Sequence, residues 1–290
     1  MNASAPLLVS GLRDIAPEYS AVLCDVWGVL HNGVTKFPEA SGALSAFRQK
    51  AGGTVVLITN APRLNGLIRE QLAALGIGQD VYDDIVTSGD VTREYIEAHP
   101  GAKVLHIGPD IHLSLYEGLD LSLSSEEDAT LISCTGLLND EQETPDDYRD
   151  QLERLAKRGL TMICANPDIV VERGERLIWC AGALARLYED FGGKVAILGK
   201  PHAPIYDAAC QRLEVLRGAP ADRGAILCVG DGLPTDIRGA VSQDLDVLFV
   251  TGGIHASDFG PTHEPDEALV RRRLAEEGLR ARAAIPRLVW

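Results

Sequence analysis

The apolar residues of this chain gather in short, nearly unbroken runs at 22–24, 54–58, 85–88, 195–198, 225–229 and 246–250. Each run is too short for a buried helix, and none alternates with polar residues as a half-exposed strand would. They read as strands buried on both faces. Between them lie segments with helix signals: 38–51, closed by Gly52-Gly53; 62–75, stopped by Gly76; 90–99; 204–213; and a helix starting at Pro234. This repeated strand–helix rhythm predicts an α/β fold in which helices cover both faces of a parallel sheet. The run at 246–250 is expected to be its last strand, and residues 1–20 a short lead-in helix or loop. The arginine-rich stretch at 271–282 reads as a solvated helix face.

The texture changes between about 100 and 192. Strands are expected at 104–108, 129–134 and 161–165, with a polar, acidic stretch at 122–128. Thr144-Pro145-Asp146-Asp147 starts a helix: a capping hydroxyl, proline at the first helical position, then acids in the first turn. That helix should end at Gly159. Asn166-Pro167-Asp168 is a turn signal, and a further helix is expected over 180–191 before Gly192-Gly193. The expected organisation is a discontinuous main domain of residues 1–99 plus 193–290, with an inserted α/β cap domain at 100–192.

Composition narrows the partners. Apolar residues are 46% of the 290 and charged residues 24%, ample for a core. A formal net charge of −15, with no basic tract, argues against nucleic acid as a partner. No apolar run approaches the length of a membrane span and no signal peptide is visible, so a membrane partner is not expected either. Six widely spaced cysteines without a C-x-x-C read as buried free thiols, which suits a cytoplasmic protein.

Four predicted strand ends carry reactive groups: Asp25, Thr59-Asn60, Lys200 and Asp231, with Asp236 five residues after the last. In an open parallel sheet, ligands sit beyond the carboxyl ends of the strands. Asp25 and Asp231 can hold a hard divalent cation such as Mg²⁺, which prefers oxygen ligands. A carboxylate can also attack phosphorus. The Thr59 hydroxyl, nearby backbone N–H groups and the Lys200 ammonium can cradle the oxygens of a transferred phosphoryl group. Arg63 either reaches a substrate phosphate or is a solvated arginine. His31 and His255 also fall near this edge, where a structural role is the simpler one for each.

These motifs resemble those of the haloacid dehalogenase superfamily, in its NagD-like branch with a large inserted cap. Asp25-x-x-Gly28-Val29-Leu30 is similar to the first motif, Leu57-Ile58-Thr59-Asn60 to the second and Gly199-Lys200-Pro201 to the third. Gly230-Asp231-x-x-x-Thr235-Asp236-Ile237 is similar to the fourth. Ala165-Asn166-Pro167-Asp168 and Cys180-Ala181-Gly182-Ala183-Leu184 resemble cap segments. The resemblance spans about residues 20–255 and implies a doubly wound, Rossmann-like core. It also implies Asp25 as nucleophile and metal ligand, Asp231 as second metal carboxylate and Asp236 in support. The backbone carbonyl of Trp27 would be a further metal ligand. Thr59 and Asn60 would bind the phosphoryl group, and Lys200 would bridge it to Asp25.

One position departs from the pattern. Phosphatases of this superfamily carry an acid–base aspartate two residues after the nucleophile, and here that residue is Trp27. The expected function is a Mg²⁺-dependent phosphomonoester hydrolase with an aspartyl-phosphate intermediate, slowed by that exchange, with His31 the nearest substitute acid. Its partners would be a small phosphorylated metabolite and, at most, a second copy of the chain. Two alternatives stay open: a phosphate-ligand sensor without turnover, and another reaction of the superfamily such as dehalogenation or phosphonate cleavage.

Overall fold

The computed structural model describes residues 6–174 and 176–290. Its first strands are β1 (Leu7–Leu8), β2 (Ala21–Cys24), β3 (Thr54–Thr59) and β4 (Asp84–Thr87). Then come β5 (Ala102–Ile107), β6 (Leu121–Leu123), β7 (Leu131–Cys134), β8 (Thr161–Cys164), β9 (Val170–Arg173) and β10 (Arg176–Trp179). The last are β11 (Lys194–Ile197), β12 (Ile226–Gly230), β13 (Asp246–Val250) and β14 (Ala283–Ile285). They build two compact units. The first takes Met1–Thr59, Arg69–Val86 and Tyr206–Trp290, and the second Asn60–Ile68 and Thr87–Ile205.

The first unit is organised on a seven-stranded sheet of order β1-β14-β13-β12-β2-β3-β4. Leu23 of β2 pairs in parallel with Cys228 of β12 on one side and Val56 of β3 on the other. Taking β2, β3, β4, β12, β13 and β14 as strands one to six gives the lateral order 3-2-1-4-5-6. The chain therefore winds outward in both directions from a switch point between β2 and β12. Central strands are apolar on both faces because both are covered, as the unbroken runs require. The helix Pro38–Lys50 shows how a cover forms. Proline starts it, Leu44 and Phe47 are buried, and Gly53 after its end lies against the Phe47 ring with no room for a Cβ.

The second unit has its own five-stranded sheet, of order β11-β8-β7-β5-β6, and a separate antiparallel hairpin of β9 and β10. Its core gathers Ile132, Leu152, Leu155, Met162, Leu184 and Tyr188, all fully buried. The helix expected from Thr144 begins as a 3-10 turn, Pro145–Tyr148, and continues as an α-helix, Arg149–Lys157. The expected domain limits shift outward on both sides, because the helix Ser88–Glu97 and the strand β11 belong to this unit.

Three expectations are corrected. The run at 195–198 is a strand, but β11 pairs with β8 in the second sheet rather than extending the first. An apolar run reports burial on both faces and says nothing about which neighbour supplies the hydrogen bonds. The strand over 246–250 is not the last, since β14 pairs with it in parallel. Residues 1–20 were expected to hold no strand, yet β1 adds a short edge to β14.

Candidate active site

Asp25 and Asp231 sit on either side of the switch point. Asp25 directly follows β2, and its N–H donates to the Val229 carbonyl at 2.8 Å, carrying the ladder one residue past the strand. Asp231 directly follows β12. Asp236 lies in the wide helical turn Leu233–Ile237, which brings its carboxylate back to the strand end. Oxygens of the three carboxylates lie within 4.8 Å of one another, and the residues are only 7%, 4% and 4% exposed.

The local sequence makes that convergence possible. Gly28 has φ +85°, and a Cβ on it would run into the Asp231 carboxylate. Gly253, after β13, approaches the same carboxylate equally closely, and Ile254 N–H donates to Asp231 Oδ2 at 2.8 Å. Gly232 N–H holds Asp236 Oδ2 at 3.0 Å. Three acids packed this closely out of water repel each other, and a hard cation is the partner their chemistry fits. Thr59 ends the neighbouring strand β3, with its side chain buried.

In the second unit, Asn60 joins two segments. Its side-chain carbonyl accepts from Lys200 N–H at 2.8 Å. Its amide donates to the Lys200 carbonyl at 3.2 Å and to Asp168 Oδ1 at 3.0 Å. Lys200 is itself 2% exposed, and Gly199 before it leaves no space for a Cβ beside Asn60 and Pro167. The structure thus groups Asp25, Asp231, Asp236 and Thr59 in the first unit, and Asn60 and Lys200 in the second.

The aromatic and histidine positions divide differently. Trp27 is half-buried, its ring lying over Gly33 and meeting the His31 ring edge-on at 5.1 Å. His31 is fully buried and accepts from Gly33 N–H through Nδ1 at 2.9 Å. Burial pushes its pKa down to about 4. An imidazole so held is neutral near pH 7 and braces the turn, so the expectation of a substitute acid does not stand. His255 is half-buried beside Asp258, 3.6 Å away, and burial lowers its pKa as well. Arg63 precedes the helix Asn65–Ala74 instead of lying in its first turn, with its backbone packed against Gly89.

Sequence reasoning assigned no role to Gly253-Ile254 or to Asp168. The first left a visible signal, a Gly-Gly pair immediately after a core strand, which marks a close backbone approach. Asp168 was read as a turn residue in a segment resembling the cap, and its bond to Asn60 spans 108 positions that no local pattern connects.

Two family profiles match this chain. One, described as a haloacid dehalogenase-like hydrolase, covers residues 22–122, and a HAD-hydrolase-like one covers 197–276. The crystal structure of a haloacid dehalogenase-like hydrolase from Brucella suis 1330 is 48% identical, with TM-score 0.87 over 97% of this chain and 100% of that one. Ribonucleotide monophosphatase NagD of Escherichia coli K12 is 27% identical over 242 residues, 82% of this chain and 89% of NagD. D-glycerol 3-phosphate phosphatase of Mycobacterium tuberculosis is 28% identical over 85% of this chain and 67% of its own length.

Proposed function

This chain belongs to the haloacid dehalogenase-like hydrolases, in their NagD-like branch, and from that premise we propose that it hydrolyses phosphomonoesters of small metabolites with Mg²⁺. The observation that carries the reading is the convergence of Asp25, Asp231 and Asp236 at the switch point of the core sheet. The phosphatase and nucleotidase names of its relatives point the same way.

Asp231, Asp25 and the Trp27 carbonyl would hold the cation, with Asp236 in support. When bound, Mg²⁺ neutralises charge on the phosphoryl oxygens. An oxygen of Asp25 attacks phosphorus, and the bond from phosphorus to the leaving alcohol breaks, giving an aspartyl phosphate and an alkoxide that must take a proton. Water then attacks that phosphorus, releasing phosphate and restoring the Asp25 carboxylate. The Thr59 hydroxyl, Asn60 and the Lys200 ammonium would bind the transferred group. Lys200 is fixed for this through its own backbone, held at both N–H and carbonyl by Asn60. Six cysteines, all free and buried, support a reducing, cytoplasmic setting. No helix among the described residues is long and apolar enough to cross a membrane.

The test is phosphate release from p-nitrophenyl phosphate, with Mg²⁺ and with excess chelator, by the wild type and by Asp25→Asn. Many turnovers that need both Mg²⁺ and Asp25 are expected. Trp27 favours a second reading, a phosphate-ligand sensor, because it removes the usual proton donor. Binding of phosphate with no turnover on any ester would select it. Dehalogenation without metal is less consistent with three converging carboxylates.

A further inference from the structure

Hydrolysis of the aspartyl phosphate leaves one proton without an acceptor. The attacking water must give it up, and the Trp27 indole is a donor only. His31 is fully buried, and its Nδ1 lone pair is taken by Gly33 N–H. The first unit carries a further histidine, His255, in the loop that follows β13 on the carboxyl edge of the same sheet.

That loop is pinned on both sides. Thr251 N–H donates to the Ile285 carbonyl at 2.9 Å and Gly252 N–H to the Pro286 carbonyl at 2.8 Å, which ties the start of the loop to the end of β14. Gly253 lies against the Asp231 carboxylate with no room for a Cβ, and Ile254 N–H donates to Asp231 Oδ2 at 2.8 Å. Ala256 N–H then closes a turn on the Gly253 carbonyl at 2.9 Å. His255 follows the residue bonded to the acidic cluster and precedes the 3-10 segment Ala256–Phe259. Its backbone is therefore fixed one residue from the cluster, within the first unit.

The charges around the ring set its tautomer. Nδ1 lies 3.6 Å from Asp258 Oδ2, and that same oxygen lies 3.7 Å from Arg273 Nε on the helix Glu267–Glu276. Arg273 pairs in turn with Glu277 at 3.3 Å, and Glu277 with Arg238 at 2.9 Å, so the Asp258 side chain is tied into a network anchored on that helix. A carboxylate facing Nδ1 favours the proton there and leaves the lone pair on Nε2. Burial lowers the His255 pKa below 6.5, with Asp258 and Glu277 pulling it up and Arg273 pushing it down, so the ring is mostly neutral at pH 7. Its side chain keeps 23% of its surface exposed, which leaves it open to water. A neutral imidazole oriented by a carboxylate, with Nε2 free to accept, is the arrangement of a general base.

We propose that His255, oriented by Asp258, is the general base for the water that hydrolyses the aspartyl phosphate. Nε2 takes a proton from that water as its oxygen bonds to phosphorus. The bond from phosphorus to the Asp25 oxygen breaks, leaving phosphate, the Asp25 carboxylate and an imidazolium that returns its proton to solvent. The inference rests on the phosphatase reading and separates its two steps, since phosphorylation of Asp25 does not use His255 and breakdown of the phosphoenzyme does.

Rapid-quench kinetics with p-nitrophenyl phosphate and saturating Mg²⁺ follow release of p-nitrophenolate, and mass spectrometry of the acid-quenched protein counts the phosphoryl groups it carries. In His255→Gln the first turnover should keep its rate while the steady-state rate falls roughly tenfold or more, because acid–base catalysis is worth roughly 10²–10⁴-fold on the step it serves. Phosphoenzyme should accumulate in this variant towards one group per chain. Asp258→Asn should shift both readouts in the same direction by a smaller factor, and it carries the test should His255→Gln fail to fold. First-turnover and steady-state rates that fall together, with no phosphoenzyme, would make His255 a structural residue and overturn the proposal. An unchanged steady-state rate would overturn it as well. No p-nitrophenolate from the wild type would instead overturn the phosphatase reading on which the proposal rests.

Discussion

At the scale of single residues, the proposed reaction turns on how the leaving alkoxide finds its proton. Indole is a donor that does not titrate near neutrality, so Trp27 cannot give up a proton and recover it. Positioned acid–base catalysis is worth roughly 10²–10⁴-fold, and that factor should be missing most visibly for poor leaving groups. The wild type should hydrolyse aryl or acyl phosphates far faster than alkyl ones, and Trp27→Asp should narrow the gap by raising the alkyl rate. His31→Ala should leave the ratio of aryl to alkyl rates unmoved, since His31 is buried and neutral. Steady-state rates of the three proteins on p-nitrophenyl and an alkyl phosphate check this, and a wild type that treats both esters alike would refute it.

His31 has instead a stability signature. Its pKa of about 4 lies below the ordinary 6.5, so between those values the unfolded chain binds the proton that the folded one refuses. Stability therefore rises with pH across that window and is lost on acidification, because protonating Nδ1 also breaks its bond from Gly33 N–H. At 1.36 kcal/mol per pH unit the full cost is about 3 kcal/mol. Urea melts at pH 7.5 and pH 5 should show part of that loss, and His31→Asn should flatten the slope.

At the scale of elements, legibility followed contrast. The runs that became β2, β3, β12 and β13 are flanked by turn residues and helix caps, and their bounds agree with the structure to within a residue or two. β14 is Ala-Ala-Ile after an arginine-rich stretch, a three-residue segment in which Ile285 alone favours a strand, and its membership is decided by pairing with β13. The hairpin β9–β10 was missed because Arg173, Arg176 and Glu172 break up any alternation. Of the expected strand ends, those carrying Asp25, Thr59 and Asp231 fall on the first sheet because each joins a strand to a turn, whereas Lys200 follows a strand of the second sheet. The bond from Asn60 to Asp168 was not legible, since its two residues lie 108 positions apart. Within the second unit, Tyr188 is fully buried and its hydroxyl donates to the Leu160 carbonyl at 2.7 Å. Tyr188→Phe should cost about 1–3 kcal/mol by orphaning that carbonyl. Tyr188→Ala should cost about 3–5 kcal/mol, because the cavity adds to the lost hydrogen bond. Denaturant melts of both variants rank the two effects, and equal losses would mean that the ring contributes nothing beyond its hydroxyl.

At the scale of the whole molecule, the acidic triad is a local extreme of a chain already at −15. Oxygens of three carboxylates lie within 4.8 Å of one another, with Asp231 and Asp236 each accepting from a backbone N–H, and on the proposed reading this cluster takes up a cation. Mg²⁺ should therefore bind the native state in preference to the unfolded one and raise its stability by mass action, by about 2.7 kcal/mol at a hundred times Kd. Thermal melts should show a Tm that climbs with Mg²⁺ and falls back with chelator. NaCl of matched ionic strength should reproduce little of the rise, since buried pairs are screened less than surface ones. Asp231→Asn keeps the acceptor for Ile254 N–H but removes one charge, so it should weaken the proposed cation site. Its response to Mg²⁺ should shift to concentrations about tenfold higher or more, the scale of a lost ligand or supporting partner. A variant that melts far lower without metal would assign Asp231 to structure, and an unshifted response to Mg²⁺ would remove it from the cation site.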